Sequence, residues 1–291
     1  MRHSSYIFAP VYRVGVILVC LMFSNMASAG AFERLFAPSA ELWPLWQKHD
    51  ASSTQEIDHS LWNSFLTKYV ATGSDGISRV SYKDVSEDDK RALNRYIVAS
   101  ESIAIAEFNK SQQLAYWVNL YNAVTVNIIL AHYPVQSIRD IDISPGFFAD
   151  GPWGKKVLSI AGETVSLNDI EHRILRPIWK DPRLHYVLNC ASLGCPNLRD
   201  RVYTASDMDN AMDMAARDYV NHKRAVSVEG ENVNVSSIYS WFLDDFGATE
   251  KMAIEHFQQY AAPELAKSLN NIEFFNDDSY DWSLNDAAAN F

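Results

Sequence analysis

Between Ser111 and His132 lies the feature that most limits how this chain folds. Leu114, Ala115, Trp117, Val118, Leu120, Tyr121, Val124, Val126, Ile128, Ile129 and Leu130 cover nearly every side of a helical wheel, so the spacing predicts a helix with no face suited to water. Such a helix belongs in the middle of the molecule, with other elements wrapped around it. Pro134 marks its end, because proline lacks the N–H that another turn needs. Asn119 and Asn122 interrupt the apolar surface on one side, within about 60° of each other at about 100° per residue. Amides buried there either tie the helix to loops or donate to a ligand.

Shorter elements flank this helix. Ile57 to Val70 carries apolar residues at helical spacing and ends at Gly73-Ser74-Asp75-Gly76. Ser86, followed by Glu87-Asp88-Asp89, opens a second helix to about Ala99. Lys156 to Val165 reads as a hairpin turning at Ala161-Gly162. Ser166 to Asp169 is a variant capping box. The helix it starts places Leu167, Ile170, Ile174 and Ile178 on one face, with Glu171 among them. Ala205 to His222 and Thr249 to Tyr260 read as helices, Ala225 to Val235 as a hairpin turning at Gly230, and Ile272 to Phe275 as a last strand. Tyr239, Trp241, Phe242 and Phe246 form an aromatic cluster suited to the core or to the wall of a pocket. The fold class expected is α+β, a helix-rich single domain with a buried central helix and a few short strands in hairpins.

The ends frame this domain. Arg2 and Arg13, an apolar run from Val14 to Phe23, and Ala27-Ser28-Ala29 before Gly30 make the pattern of a secretory signal over residues 1–29, cleaved near Ala29. The run is about ten residues, short of the roughly twenty that a membrane span requires, so no stable membrane insertion is expected. Residues 30–56 read as an N-terminal arm, 57–275 as the domain and 276–291 as a flexible acidic tail. With 25 Lys and Arg against 36 Asp and Glu the net charge is −11, and removing the signal makes it more acidic. That argues against nucleic acid as a partner. Cys20 lies in the signal, so a periplasmic or secreted product carries only Cys190 and Cys195 in an oxidising compartment.

Chemistry concentrates between Arg183 and Arg199. Leu184 to Leu188 alternates and predicts a strand, which places Cys190 at its C-terminal tip. Ala191 to Gly194 then forms a small-residue loop that allows a ligand close to the backbone, closed by Cys195-Pro196. Cys190 has two readings: a nucleophile with a depressed pKa, or one half of a disulfide with Cys195, structural or redox-active. His172 and His185 are the candidate bases, oriented by Glu171 or Arg176 in the first case and by Asn189 in the second. Glu171 on an apolar face requires either a cation, for which Arg176 and Arg183 are the natural partners, or a raised pKa. Asn119 or Asn122 would hold an oxyanion. Asn189, Ser192, Arg176 and Arg183 complete the candidate binding residues, and the two arginines suit a small-molecule or peptide substrate that is anionic. No cofactor and no metal is expected: His185, Cys190 and Cys195 match no common zinc spacing, and phosphate-loop, G-x-S-x-G and His-Glu-x-x-His patterns are missing.

Four stretches, LAYWVNLYNAVTVNIIL (114–130), VSLNDIEHRILR (165–176), RLHYVLNCASLGCPNL (183–198) and SSIYSWFLDDF (236–246), resemble the family designated domain of unknown function 547, in the order that family shows. The resemblance covers about residues 60–250. It implies the importance of Asn119, Asn122, Glu171, His172, His185, Asn189, Cys190 and Cys195 and supplies no reaction. The function expected from the residues is a thiol-dependent hydrolase or transferase built on Cys190. The alternatives are a thiol-redox protein cycling Cys190 and Cys195, or a ligand-binding module locked by their bridge.

Overall fold

The apolar helix is the axis of the molecule. In the computed structural model, which describes residues 37–145 and 151–288, α1 (Ser60–Tyr69) runs into an antiparallel pair, β1 (Val70–Thr72) and β2 (Ser78–Val80). Next, α2 (Glu87–Glu101) packs on the central helix, α3 (Lys110–His132). Ser86 and Asn109 cap the two helices by accepting from the N–H groups of Asp89 and Gln112. Every residue of α3 from Gln113 to Leu130 except Asn127 is buried. Although α3 has the length and hydropathy of a membrane span, 89% of its most apolar window is covered by protein. The segment expected to be a signal lies outside the described residues.

The hairpin β3 (Leu158–Ile160) and β4 (Glu163–Val165) turns at Ala161 and Gly162, both at positive φ, as a tight hairpin of this hand requires. Ser166 and Asp169 then form the reciprocal cap that the sequence predicts. The helix that follows is wider than expected. Asp169–Leu175 is π-helical and passes into a single α-helical turn, α4 (Arg176–Trp179). Pro177 supplies the reason, since it has no N–H to return to the carbonyl of His172 or Arg173. Those carbonyls accept instead from the backbone N–H groups of Glu41 and Trp43, which moors the arm to this helix.

Residues 184–188 do not form the expected strand. Pro182–Tyr186 is a 3-10 helix whose Asp181 side chain caps Arg183 N–H, and Asp-Pro at the first helical position outweighs the short alternation. Leu184, Val187 and Leu188 therefore pack on the core around α3, while Tyr186 joins a second core with Tyr219, Tyr239 and Phe257. That second core is built by α5 (Met208–Val220), β5 (Val226–Glu229), β6 (Asn232–Ser236), α6 (Ser237–Trp241), α7 (Glu250–Tyr260) and α8 (Pro263–Ser268).

The last strand is also displaced from its expected place. Instead of Ile272 to Phe275, β7 (Asp277–Ser279) pairs in parallel with β6. Asn276 leads it in by exchanging two hydrogen bonds with the backbone of Val233, and Asp278 accepts from the hydroxyls of Ser237 and Ser240. Residues 276–288, read from composition as part of a fraying tail, are thus bound to the body. Leu284, Asn285 and Asp286 are buried there.

Asn122 connects the central helix to the cysteine loop, donating to Val187 O (2.9 Å) and accepting from Asn189 N–H (2.8 Å). Asn122→Ala leaves both backbone groups buried and unpaired, an expected loss of about 1–3 kcal/mol. Urea denaturation checks this, and a loss below about 0.5 kcal/mol contradicts the pinning role.

Candidate functional site

The cysteine loop is built by saturation of its backbone. The N–H groups of Asn189, Ala191, Leu193 and Gly194 go to Asn122 Oδ1, Asn189 Oδ1, Ser283 O and Asp281 O. Its carbonyls at Ala191, Leu193, Gly194 and Pro196 accept from Asn285 N–H, Arg224, Tyr219 and Asn189. Ala191 sits at a φ of 60°, a conformation costly for a residue with a Cβ, and bonds on both sides hold it there. The small residues do admit a close neighbour. It is the C-terminal segment 281–285, not a ligand. A Cβ on Gly194 would lie 2.9 Å from Asp281 N and 3.0 Å from Asp281 O.

Within this frame Cys190 and Cys195 are joined in a disulfide. The two sulfurs differ in setting, with Cys190 half-buried and Cys195 buried. Cys190 N–H donates to Cys195 Sγ at 2.8 Å. The Tyr280 hydroxyl lies 2.9 Å from Cys190 Sγ and 3.1 Å from Cys195 Sγ, and Ser192 Oγ lies 3.3 Å from Cys190 Sγ. Bridged sulfurs carry no proton, so the Tyr280 hydroxyl is the donor to them, while the single Ser192 hydroxyl proton is given to the Tyr280 oxygen. Tyr280 was not singled out in the sequence, because its role depends on the docking of a segment that composition assigns to a loose tail.

A second polar centre gathers the histidines. His185 Nε2 lies 2.7 Å from Asp245 Oδ2, and Arg176 Nε lies 2.6 Å from that same oxygen. Arg176 also donates to Pro38 O and to His172 Nδ1 (3.0 Å). An arginine can only donate, so His172 Nδ1 is the acceptor and a neutral ring carries its proton on Nε2. Glu171 Oε1 stands 3.8 Å from His185 Nδ1 and 4.0 Å from His172 Nδ1, while Oε2 accepts from Tyr121. Burial depresses His172 to a pKa of about 4. Asp245 is half-buried, which opposes its ionisation, yet the bonds from His185 and Arg176 outweigh that and hold it well below the usual carboxylate range. His185 thus has a carboxylate orienter, as an acid–base histidine requires. Its side chain is only 3% exposed, however, and Phe242 stacks on it at 4.5 Å.

The structure brings together Glu171, His172, Arg176 and His185, as the sequence suggests, and adds Asp245. Three expected pairings differ. Arg176 binds Asp245 rather than Glu171, and Arg183 is taken by Asp181, Asp209 and Asp213 on the far side of the 3-10 helix. Asn189 serves the cysteine loop and not His185, because the 3-10 turn replaces the strand face they were to share. Asn119 saturates the backbone of Tyr203 with both ends of its amide. Among the described residues neither imidazole is hydrogen-bonded to Cys190. Between the centres lie Tyr121, Trp241 and Phe242, with Trp241 packed on Tyr280 at 4.9 Å. Elsewhere, a hollow of about 670 Å³ at the start of α3 is lined by His59 and Lys110, whose Nε2 and Nζ are buried without a hydrogen-bond partner, Nζ lying over the Trp179 ring.

Fold and site together define a helix-rich α+β protein organised around a disulfide-closed loop. Residues 105–220 match the family model described as protein of unknown function, DUF547, which supports the resemblance read from the sequence over that segment. The match takes in α3, the π-helical stretch and the cysteine loop, and ends before Asp245 and Tyr280. No curated protein and no solved structure matches the chain.

Two consequences are measurable. Gly194→Ala forces the strap at 281–285 off the loop, an expected destabilisation of about 1–3 kcal/mol with loss of the near-ultraviolet signal of Trp241 and Trp282; unchanged stability contradicts the close approach. The second concerns pH. His59, His172 and His256 are each held near pKa 4, chiefly by burial, below the usual 6.5. The unfolded chain therefore binds more protons between these values, and stability falls as pH drops from about 6.5 towards 4. Depressed carboxylates such as Asp75, Asp89 and Asp245 add their loss only at lower pH. Denaturation midpoints at pH 7 and pH 4.5 check this, and equal midpoints contradict it.

Proposed function

We propose that this is an exported thiol–disulfide exchange protein whose working pair is Cys190 and Cys195. The observation that carries the reading is the asymmetry of the pair: Cys190 is the half-buried and so the more accessible residue, and Cys195 is buried with a sulfur that already accepts a backbone N–H. Exchange requires an accessible sulfur to attack and a leaving sulfur whose negative charge is stabilised.

The electrons balance with a dithiol substrate, either a small molecule or a cysteine-bearing peptide. One substrate thiolate attacks Cys190 Sγ, the Cys190–Cys195 bond breaks, and Cys195 leaves as a thiolate held by Cys190 N–H. The second substrate thiolate then attacks the substrate sulfur of the mixed disulfide and expels Cys190. The substrate leaves as a disulfide, and the pair retains two electrons and the two substrate protons. A disulfide-bearing partner reverses the steps and restores the bridge. Acyl transfer from Cys190 finds less support, because hydroxyls rather than an imidazole lie within reach of its sulfur. An anionic substrate finds none in Arg176 and Arg183, whose partners are internal.

The test is made on native protein. No thiol alkylates before reduction, a small dithiol opens the pair without unfolding, and Cys190 then alkylates ahead of Cys195. Cys190→Ser abolishes catalysed oxidation of a dithiol peptide. A pair that reduces only after denaturation contradicts the proposal and leaves a locked binding module.

A further inference from the structure

We infer that Tyr280 is a catalytic residue of this exchange, delivering its hydroxyl to the departing sulfur from the C-terminal strap. The inference rests on the exchange reading above and adds to it a group that lies beyond the matched family segment.

The geometry leaves the hydroxyl with one role. Ser192 Oγ donates to Tyr280 oxygen at 3.0 Å, so the phenol's own proton is directed to the sulfurs, 2.9 and 3.1 Å away. As Cys195 leaves, negative charge grows on an atom that already faces this proton and Cys190 N–H. A sulfur so solvated is the better leaving group, and exchange rates follow the leaving thiol's pKa. Burial pushes the phenol well above its ordinary pKa, reinforced by the charges of Tyr219 and Glu171 and opposed by the Ser192 hydrogen bond and by Arg224, so it donates hydrogen bonds without losing its proton.

The strap is built to place this group. Leu193 and Gly194 N–H donate to Ser283 O and Asp281 O, Asn285 N–H donates to Ala191 O, and the ring packs against Trp241 at 4.9 Å and Trp282 at 4.6 Å. At Gly194 that approach is close, since an added Cβ would also lie 3.0 Å from the Tyr280 ring. A segment held only to cover apolar surface has no need of a hydroxyl aimed at two sulfurs.

The experiment compares wild type with Tyr280→Phe, which keeps the ring and its packing. The rate of pair reduction by dithiothreitol is measured, and the Cys195 thiolate is titrated by its ultraviolet absorbance in the reduced protein. Loss of a hydrogen bond to a charged atom predicts reduction roughly tenfold to hundredfold slower, with the thiol midpoint raised by about one to two units. Thermal stability changes little. Ser192→Ala, which removes the donor behind the phenol, slows reduction by a smaller factor and serves as the second variant if Tyr280→Phe does not fold. A Tyr280→Phe protein reduced as fast as wild type, with the same midpoint, overturns the inference while leaving the exchange reading in place. A wild-type pair that resists the dithiol in the native state overturns both.

Discussion

The rest of the structure depends on the burial of α3 on all sides. A helix of that kind satisfies its own backbone and offers its surroundings almost nothing but apolar surface, so its few polar side chains become the points at which loops are fixed. Asn122 is the one that matters for chemistry. Its carboxamide takes a carbonyl from one side of the cysteine loop's entry and an N–H from the other, and Asn189 then closes the loop onto Pro196. The sulfur pair is therefore located by a helix that cannot shift without exposing the core.

The saturated loop backbone explains why the chemistry falls on sulfur and hydroxyl groups. Every loop N–H between Asn189 and Gly194 except that of Ser192 reaches a side chain, a sulfur or the strap, so the loop backbone offers a substrate little. What remains at the accessible edge is Cys190, with Ser192 and Tyr280 beside it. The imidazole centre is a different kind of site. Asp245 binds a guanidinium and an imidazole through one oxygen, and Phe242 covers the planes of both, His185 at 4.5 Å and Arg176 at 4.6 Å. It ties the 3-10 helix, α4 and the turn after α6 together through the Arg176–Asp245 ion pair and the His185–Asp245 hydrogen bond.

Much of this was legible in the amino-acid sequence, and the exceptions have physical causes. Helix α3, the caps at Ser86 and Ser166, and both hairpin turns follow from local periodicity and turn chemistry, which act over a few residues. The supposed strand before Cys190 failed because Asp181-Pro182 starts a helical turn and five alternating residues are too few to oppose it. β7 has no apolar pattern to read; its Asp278 is held by serine hydroxyls from α6. Asp245 and Tyr280 meet residues more than 50 positions away, and no local pattern in a single sequence encodes such a meeting. The candidate residues Glu171, His172, Arg176 and His185 were recognisable because charge on apolar faces must find a partner.

The account stands on which sulfur receives the incoming thiol. Rapid acid quenching of the native protein mixed with glutathione, followed by peptide mass mapping, identifies the residue that carries the mixed disulfide. The account predicts glutathione on Cys190 with Cys195 free. Glutathione on Cys195, or on neither cysteine, contradicts it.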